Sequence, residues 1–401
     1  MKVLLVNPPD SSEAMLGAGR YLVPRYEPLG LLYIAAALRA NGFGVELIDA
    51  FAEGIGLDTL KERIAGRAPD IVGVSTLTCS GANVFELGRW LKKSLPEALV
   101  VLGNMHASVY SSQYLENGCC DVVVHGEGEL PMVEIARARA AGQGPEGVRG
   151  VSFLGHNGSV VHNPGRDVPQ DLEKLPPPAR DLLDQSLYGL GELSNQAVMG
   201  GGGVVARTIS TSRGCPFGCS FCAAHGRGVQ RFNSADRVVD EMEVLEKGSG
   251  ASYITIVDPF FLGDRDRVLK ICSEIRARGL RVRWGCDAHI NSVDPGLIAE
   301  MERAGCYELS FGIESGVQRL LDAVGKPITP ARVSGTLSMV KAHSGIKLSG
   351  LFILGLPGET YADSLETIRF AKSLPLDMAQ FSLLIPYPGS ALFDELSAKG
   401  E

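Results

Sequence analysis

Positive charge is in short supply. The 401-residue chain carries 38 Lys and Arg against 46 Asp and Glu, a formal net charge of −8. It therefore lacks the basic face that a large nucleic-acid interface needs. Long apolar runs are missing too, since the longest, about Leu29 to Leu38, is too short to cross a bilayer. That excludes a transmembrane segment there, though not a substrate drawn from a membrane. The N-terminus, Met1-Lys2-Val3-Leu4-Leu5-Val6, lacks the charged region, apolar core and cleavage site of a signal peptide. Nine cysteines, three in one short cluster and the others scattered, make no disulfide framework and point to a reducing cytoplasm. No Gly-x-Gly-x-x-Gly opens the first helix, so a nicotinamide or flavin dinucleotide has little support. What is there, 45% hydrophobic and 21% charged residues, reads as an ordinary globular chain long enough for two or three domains.

The most specific stretch is Cys215-Pro216-Phe217-Gly218-Cys219-Ser220-Phe221-Cys222, directly after the strand-like Thr208-Ile209-Ser210-Thr211-Ser212. Three thiolates at Cys-x3-Cys-x2-Cys spacing can hold three corners of a [4Fe–4S] cluster. The fourth iron would then be open to another ligand. The competing reading is zinc, with His225 as fourth ligand, but zinc sites usually pair their cysteines and no second pair lies nearby.

Residues 1 to about 145 alternate strands with helices. Strands are predicted at Lys2–Asn7, Val45–Asp49, Ile71–Ser75, Leu99–Gly103 and Asp121–Val124, and helices near 29–40, 57–68, 84–95, 111–117 and 130–141. That alternation predicts a parallel, doubly wound sheet whose ligand sits beyond the strand C-termini. The segments there are Asn7-Pro8-Pro9, Ser75-Thr76-Leu77-Thr78, Gly103 to His106, and His125-Gly126-Glu127-Gly128-Glu129. They are small and polar, as close backbone approach to a ligand favours.

Residues 146–204 read as a linker. It comprises a hairpin around Asn157-Gly158, a stiff Leu175-Pro176-Pro177-Pro178 connector, and a flexible Met199 to Gly203 that is a plain linker or a loop over substrate. From 205 to 401 six strand–helix repeats are predicted, with strands near 208–212, 253–257, 281–286, 308–312, 348–354 and 378–385. That is a parallel barrel segment with its chemistry at the strand C-termini, too short for eight repeats. The strand ends carry the cysteine loop, Asp258-Pro259-Phe260, Asp287-Ala288-His289, Glu314-Ser315-Gly316, Gly355 to Thr360, and Pro386-Tyr387-Pro388-Gly389.

Together these motifs, from Lys2 to Gly389, resemble the cobalamin-binding-domain-containing radical S-adenosylmethionine enzyme family. The resemblance implies an α/β chain: an N-terminal Rossmann-like cobalamin-binding domain, a Pro-rich bridge, and a C-terminal partial (βα)6 barrel. It implies that Cys215, Cys219 and Cys222 hold the cluster and that S-adenosylmethionine chelates the open iron. Phe221, Asp258, Glu314, Ser315 and Gly355 then fall at the S-adenosylmethionine site, and Asn7, Pro8, Ser75, Thr76, Leu77, Gly103, His106, Gly126 and Glu127 at the cobalamin site. The activity implied is C-methylation of an unactivated carbon through a 5′-deoxyadenosyl radical and methylcobalamin. The alternatives are a radical cyclase or ring-rearranging enzyme and, from another class, a non-catalytic corrinoid or iron–sulfur sensor. A methylthio-transferring enzyme is disfavoured, because Cys79, Cys119 and Cys120 lack cluster spacing. The implied partners are a small-molecule, lipid or tetrapyrrole substrate and an electron donor such as flavodoxin or ferredoxin.

The chain departs from the pattern in three places. No Asp-x-His-x-x-Gly occurs in the first half. Asp287-Ala288-His289 mimics its start but continues Ile290-Asn291-Ser292, so no His289–cobalt bond is expected, and His106 either lines the lower corrin face or is a loop histidine. His289 stands where the family often has arginine, which makes it a candidate substrate-specific or proton-transferring residue, or a neutral hydrogen-bonding substitute. Relatives commonly carry a further C-terminal segment, so a short member and a truncated piece are both open.

Overall fold

The computed structural model of the protein describes residues 1–10, 24–166, 171–189, 204–224 and 228–400. His225 and the 199–203 stretch lie outside the described residues. The chain divides into two compact units, Met1–Tyr188 and Gly189–Glu401.

The first unit is a seven-stranded sheet. β1 (Lys2–Asn7) is stopped by Pro8-Pro9, which cannot extend a ladder. It is followed by α1 (Leu29–Ala40), β2 (Gly44–Asp49), α2 (Leu57–Ala65), β3 (Ile71–Ser75), α3 (Gly81–Ser94), β4 (Leu99–Gly103), α4 (Met105–Val109), α5 (Ser111–Glu116), β5 (Val122–Val124) and α6 (Glu129–Ala140). A hairpin, β6 (Val151–Leu154) and β7 (Val160–His162), completes it. The strand order is β2-β1-β3-β4-β5-β6-β7, parallel through β5 and antiparallel after it.

Alternation along β1 shows the double winding. Val3 and Leu5 pack with Leu31, Met132 and Ile135 of α1 and α6. Leu4 and Val6 pack with Leu60, Ile64, Leu87 and Leu91 of α2 and α3. Both faces are covered, so the strands read as continuous apolar runs.

The hairpin, expected inside a linker, belongs to the first sheet. Its β6 pairs antiparallel with β5, Val123 opposite Ser152, and closes an edge that would otherwise expose unpaired backbone. The Pro-rich connector is also pinned to this unit. Arg180 pairs with buried Glu27 at 2.6 Å, Asp181 takes both bonds from Arg39, and the Tyr188 hydroxyl donates to Asp49 at 2.7 Å. The division therefore falls after Tyr188 rather than near residue 145. Such pairings join residues far apart in sequence, Arg39 and Asp181 being 142 apart, which composition does not reveal.

The second unit contains β8 (Ala206–Ile209), α7 (Ala235–Ser249), β9 (Tyr253–Ile256), α8 (Arg265–Ala277), β10 (Arg283–Ala288), α9 (Pro295–Arg303), β11 (Cys306–Glu314), α10 (Gln318–Ala323), α11 (Pro330–His343), β12 (Lys347–Leu354), α12 (Tyr361–Ser373), β13 (Met378–Leu383) and α13 (Ala391–Lys399). Its six strands run in the order β13-β12-β11-β10-β9-β8, all parallel, the open barrel that six repeats predict. Helix starts follow side-chain chemistry. Asp294 accepts from the Leu297 N–H with Pro295 at the first turn, and Thr360 and Asp363 cap each other's backbone.

Ile254, Ile256, Trp284, Cys286, Leu309 and Phe311 face the helices. Tyr253, Thr255, Asp287, Glu308 and Ser310 alternate with them and therefore face the lumen. Gly285 makes room there: a Cβ on it would lie 2.3 Å from the Tyr253 hydroxyl. That hydroxyl shares Glu308 with Ser349, whose hydroxyl donates at 2.6 Å.

Candidate functional site: two strand-end centres

The first centre is the C-terminal edge of the parallel strands in the first unit. Asn7 ends β1 beside Asp49, its amide donating to the Asp49 carboxylate at 2.8 Å, while Pro8 is buried behind it. Asp49 also accepts from the Ala52 N–H at 3.0 Å, and burial pushes its carboxyl up. Ser75 and Gly103 are register partners at the ends of β3 and β4. Thr76 is fully buried; its N–H donates to the Gly103 carbonyl at 2.9 Å, while its hydroxyl has no hydrogen-bond partner. Leu77 is exposed. Gly103 and Gly126 have open space where a side chain would project, and half-buried Glu127 follows Gly126. A glycine rim beside an orphan buried hydroxyl suits a large planar ligand that approaches the backbone.

His106 is placed differently from the rim. Its ring leans on Tyr110 (centroids 4.6 Å apart) and meets Tyr114 edge-on at 6.1 Å. Its Nε2 lies where a Gly81 side chain would be, and burial holds the imidazole below its ordinary range, hence neutral. It is wedged between α3 and the α4–α5 pair, with Nδ1 left without a partner.

The second centre is the mouth of the open barrel. Cys219 is buried, and Cys215 and Cys222 are half-buried. The loop bearing them is held at several points. The Gly228 N–H donates to the Cys215 carbonyl at 2.9 Å, the Ser220 N–H to Val324 at 3.0 Å, and the Leu392 N–H to Ser220 at 2.9 Å. The Ala224 N–H points at the Cys222 sulfur, 3.4 Å away, as thiolate ligands favour. Burial pushes the Cys215 and Cys219 thiols up, and Lys326 pulls both back toward thiolate. Among the described residues no three His, Cys, Asp or Glu side chains converge as on a single ion. Each thiolate of a cluster binds a different iron, so wider spacing is what a cluster requires.

Asp258, 1% exposed, lies under this loop. Its carboxylate accepts from the Thr211 N–H at 2.6 Å, from the Thr211 hydroxyl, and from the Ser212 hydroxyl at 2.8 Å. Arg267 adds a second clamp, donating to the Asn233 carbonyl at 2.7 Å and the Thr211 carbonyl at 2.9 Å. Phe221 packs against Leu320, Val324 and Leu356. Phe217 stacks on His289 with centroids 4.2 Å apart, and Phe260 meets the Phe217 ring edge-on at 5.3 Å.

His289 is buried and accepts from the Asn291 N–H through Nδ1. The neutral ring therefore carries its proton on Nε2, which is buried without a partner. Burial, assisted by Lys326, lowers its pKa to about 4. Asp287, two residues earlier, reaches into the lumen. Water touches it, but the barrel walls surround it, and this burial, with Glu308 and Glu314, pushes its carboxyl up to about 6 against the pull of Lys326.

Glu314 adopts φ 66° and pairs with Lys326 at 2.9 Å. Ser315 bonds the Thr367 hydroxyl at 3.0 Å. Gly355 takes φ 89°, and its N–H and that of Leu356 both donate to Glu359 at 2.7 Å. Lys326 and Arg267 carry no motif, and nothing in the sequence marked them. Asp287 and Thr211 stood in the sequence only as parts of Asp287-Ala288-His289 and of the strand before the cysteine loop, with no role assigned to either.

The B12 binding domain family matches residues 18–136, and the radical SAM superfamily matches residues 209–371. An uncharacterized methyltransferase of Pyrococcus horikoshii is 32% identical over 98% of this chain and 83% of its own. The chain belongs to the radical S-adenosylmethionine enzymes that carry a B12-binding domain. In this family the chain is also similar to an anaerobic magnesium-protoporphyrin IX monomethyl ester cyclase of Rubrivivax gelatinosus, 29% identical over 100% of this chain and 71% of the relative. The structure of the radical S-adenosylmethionine methyltransferase TsrM from Kitasatospora setae, with cobalamin and a [4Fe–4S] cluster bound, has the same fold. Its TM-score is 0.76 at 23% identity, covering 99% of this chain and 75% of that one. Among the described residues, no helix of this radical S-adenosylmethionine enzyme is long and apolar enough to cross a membrane.

Proposed function

We propose that the protein is a cobalamin-dependent radical S-adenosylmethionine C-methyltransferase acting on an unactivated carbon. The observation that carries this is the Cys215, Cys219 and Cys222 loop, clamped at the mouth of an open six-stranded barrel in a chain that also has a B12-binding domain. When bound, the cluster, S-adenosylmethionine and corrin supply a 5′-deoxyadenosyl radical and a transferable methyl group.

The chain's own residues position, shield and move protons. Asp258 and Arg267 fix the loop from below, so the three thiols keep their spacing. The Phe217–His289–Phe260 aromatic group covers its inner side and keeps water away. His289, neutral at physiological pH, acts there as an Nε2–H donor rather than an acid. Asp287 is the luminal group able to hold or release a proton near neutrality. Phe221, Glu314, Ser315 and Gly355 are proposed to border bound S-adenosylmethionine; Asp258, expected with them, is instead buried under the cysteine loop with its carboxylate taken up by Thr211 and Ser212. In the first unit, Asn7, Pro8, Ser75, Thr76, Leu77, Gly103, Gly126 and Glu127 are proposed to border the corrin, with His106 supporting that edge from behind.

The substrate is proposed to be a small molecule, lipid or tetrapyrrole. The electron donor is proposed to be a flavodoxin or ferredoxin. A cytoplasmic location is proposed from the scattered spacing of the cysteines. A second reading, radical cyclisation, draws on the similarity to the cyclase of Rubrivivax gelatinosus.

The test is anaerobic turnover of reconstituted protein with S-adenosylmethionine, reductant and cobalamin, counting 5′-deoxyadenosine and S-adenosylhomocysteine together. Both forming in step with a methylated product supports methyl transfer. Deoxyadenosine with a product of unchanged carbon count supports cyclisation instead. A Cys215→Ala/Cys219→Ala/Cys222→Ala variant that still forms deoxyadenosine refutes the cluster assignment.

A further inference from the structure

Lys326 and Glu314 form an ion pair that stability alone does not explain. Their side chains are 10% and 8% exposed, and the Nζ–Oε1 distance is 2.9 Å. Withdrawing two charges from water costs about what their attraction returns, and an apolar pair of similar volume often does as well. The pair also demands unusual backbone. Glu314 sits at φ 66°, in the left-handed region that a glutamate rarely adopts. The β11–β12 register shifts between Gly312 and Glu314. A Cβ on Gly312 would lie 2.7 Å from Glu314 Oε1 and 2.9 Å from Lys326 Nζ, so a side chain there would have to displace the paired groups.

Its location points to a role. The turn carrying Lys326 is bonded to the cysteine loop: the Ser220 N–H donates to Val324, and a side chain on Gly325 would meet the Gly218 carbonyl at 3.7 Å. The turn is rigid as well, with the Lys326 N–H donating to Leu321 at 2.9 Å and the Asn291 amide donating to Pro327 at 2.9 Å. Lys326 thus follows directly on a turn that packs against the cysteine loop at Gly218 and Ser220, the two neighbours of Cys219.

We infer that Lys326 and Glu314 tune the reduction of a cluster held by this loop, Lys326 raising its potential and Glu314 lowering it. The inference rests on the proposed cluster reading. Three thiolates already place negative charge in a low-dielectric mouth. A one-electron reduction adds one more, which a fixed cation eases and a fixed carboxylate opposes. Both are positioning residues in this role. Neither needs to touch the iron.

The test uses the full chain, reconstituted anaerobically with iron and sulfide. It is titrated with titanium(III) citrate as the electron source and followed by the electron paramagnetic resonance of the reduced cluster. At the wild-type midpoint, Lys326→Met is expected to shift the reduced-to-oxidised ratio about tenfold toward oxidised, about 59 mV for one electron. Glu314→Gln is expected to shift it about tenfold the other way. The Lys326→Met/Glu314→Gln double variant and Lys326→Arg should both stay within about threefold of wild type. Opposite shifts that cancel in the double variant are what a merely structural role would not produce. If every variant stays within threefold, or the single variants shift in the same direction, the inference is overturned while the cluster reading stands. Should Lys326→Met lose its iron, the Glu314→Gln titration decides alone: a shift toward reduced supports the inference and no shift overturns it. A wild-type chain that assembles no cluster overturns both.

Discussion

Removing the Asp258 carboxylate should loosen the cysteine loop from beneath. In Asp258→Ala, three donors lose their acceptor: the Thr211 N–H, the Thr211 hydroxyl and the Ser212 hydroxyl. Thr211 and Ser212 are each 1% exposed, so water cannot replace it. A buried donor left unsatisfied costs about 1–3 kcal/mol. The two hydroxyls can turn toward other acceptors, but the backbone N–H cannot. The expected loss is therefore about 3–5 kcal/mol for the variant. Asp258→Asn keeps one oxygen for the backbone N–H and should lose about 1–2 kcal/mol. The chain has two tryptophans, Trp90 in the first unit and Trp284, fully buried, in the second. In a Trp90→Phe background, urea unfolding followed by fluorescence reports the second unit alone. Iron retained per chain after reconstitution should fall in the same order, wild type, Asn, Ala. The account is refuted if Asp258→Ala unfolds within about 0.5 kcal/mol of its parent and holds as much iron.

The remaining predictions probe other parts of the two units. A side chain at Gly88 in α3 would sit 2.2 Å from the Cys119 carbonyl, so Gly88→Ala should destabilise the first unit by about 2–3 kcal/mol, read as a lower urea midpoint from Trp90. Gly285→Ala should displace Tyr253 from Glu308 and cost the second unit about 1–3 kcal/mol, with Gly285→Ala/Tyr253→Phe recovering part of it. His289 has a folded pKa of about 4, below an unfolded value of about 6.5, so the unfolded chain binds the extra proton. The stability it contributes is whole above pH 6.5 and falls as pH drops, by about 3 kcal/mol at pH 4. Urea unfolding across that window should show the slope in wild type and lose most of it in His289→Gln.

Much of this protein is written in local pattern. Lys2–Asn7, Ile71–Ser75 and Leu99–Gly103 are strands over the spans that their apolar runs predict. The Cys215–Cys222 spacing needs no tertiary information, since it reflects how close thiolates must lie on one loop. Six strand–helix repeats announce an open parallel barrel for the same reason: connection length and periodicity are properties of contiguous sequence. Tertiary structure alone decided what depends on residues far apart in the chain. Only in the fold does the β6–β7 hairpin become the edge of the first sheet, because Ser152 finds Val123. Only there does Asp258, 47 residues from Thr211, become the support of the cysteine loop. Lys326, an ordinary lysine in a turn, gains its place near the cysteine loop because Val324 accepts a hydrogen bond from Ser220. Sequence pattern records which residues repeat along a helix or strand, but burial and charge act through space. The strained Glu314, the orphan Nε2 of His289 and the luminal Asp287 are products of that second kind of proximity.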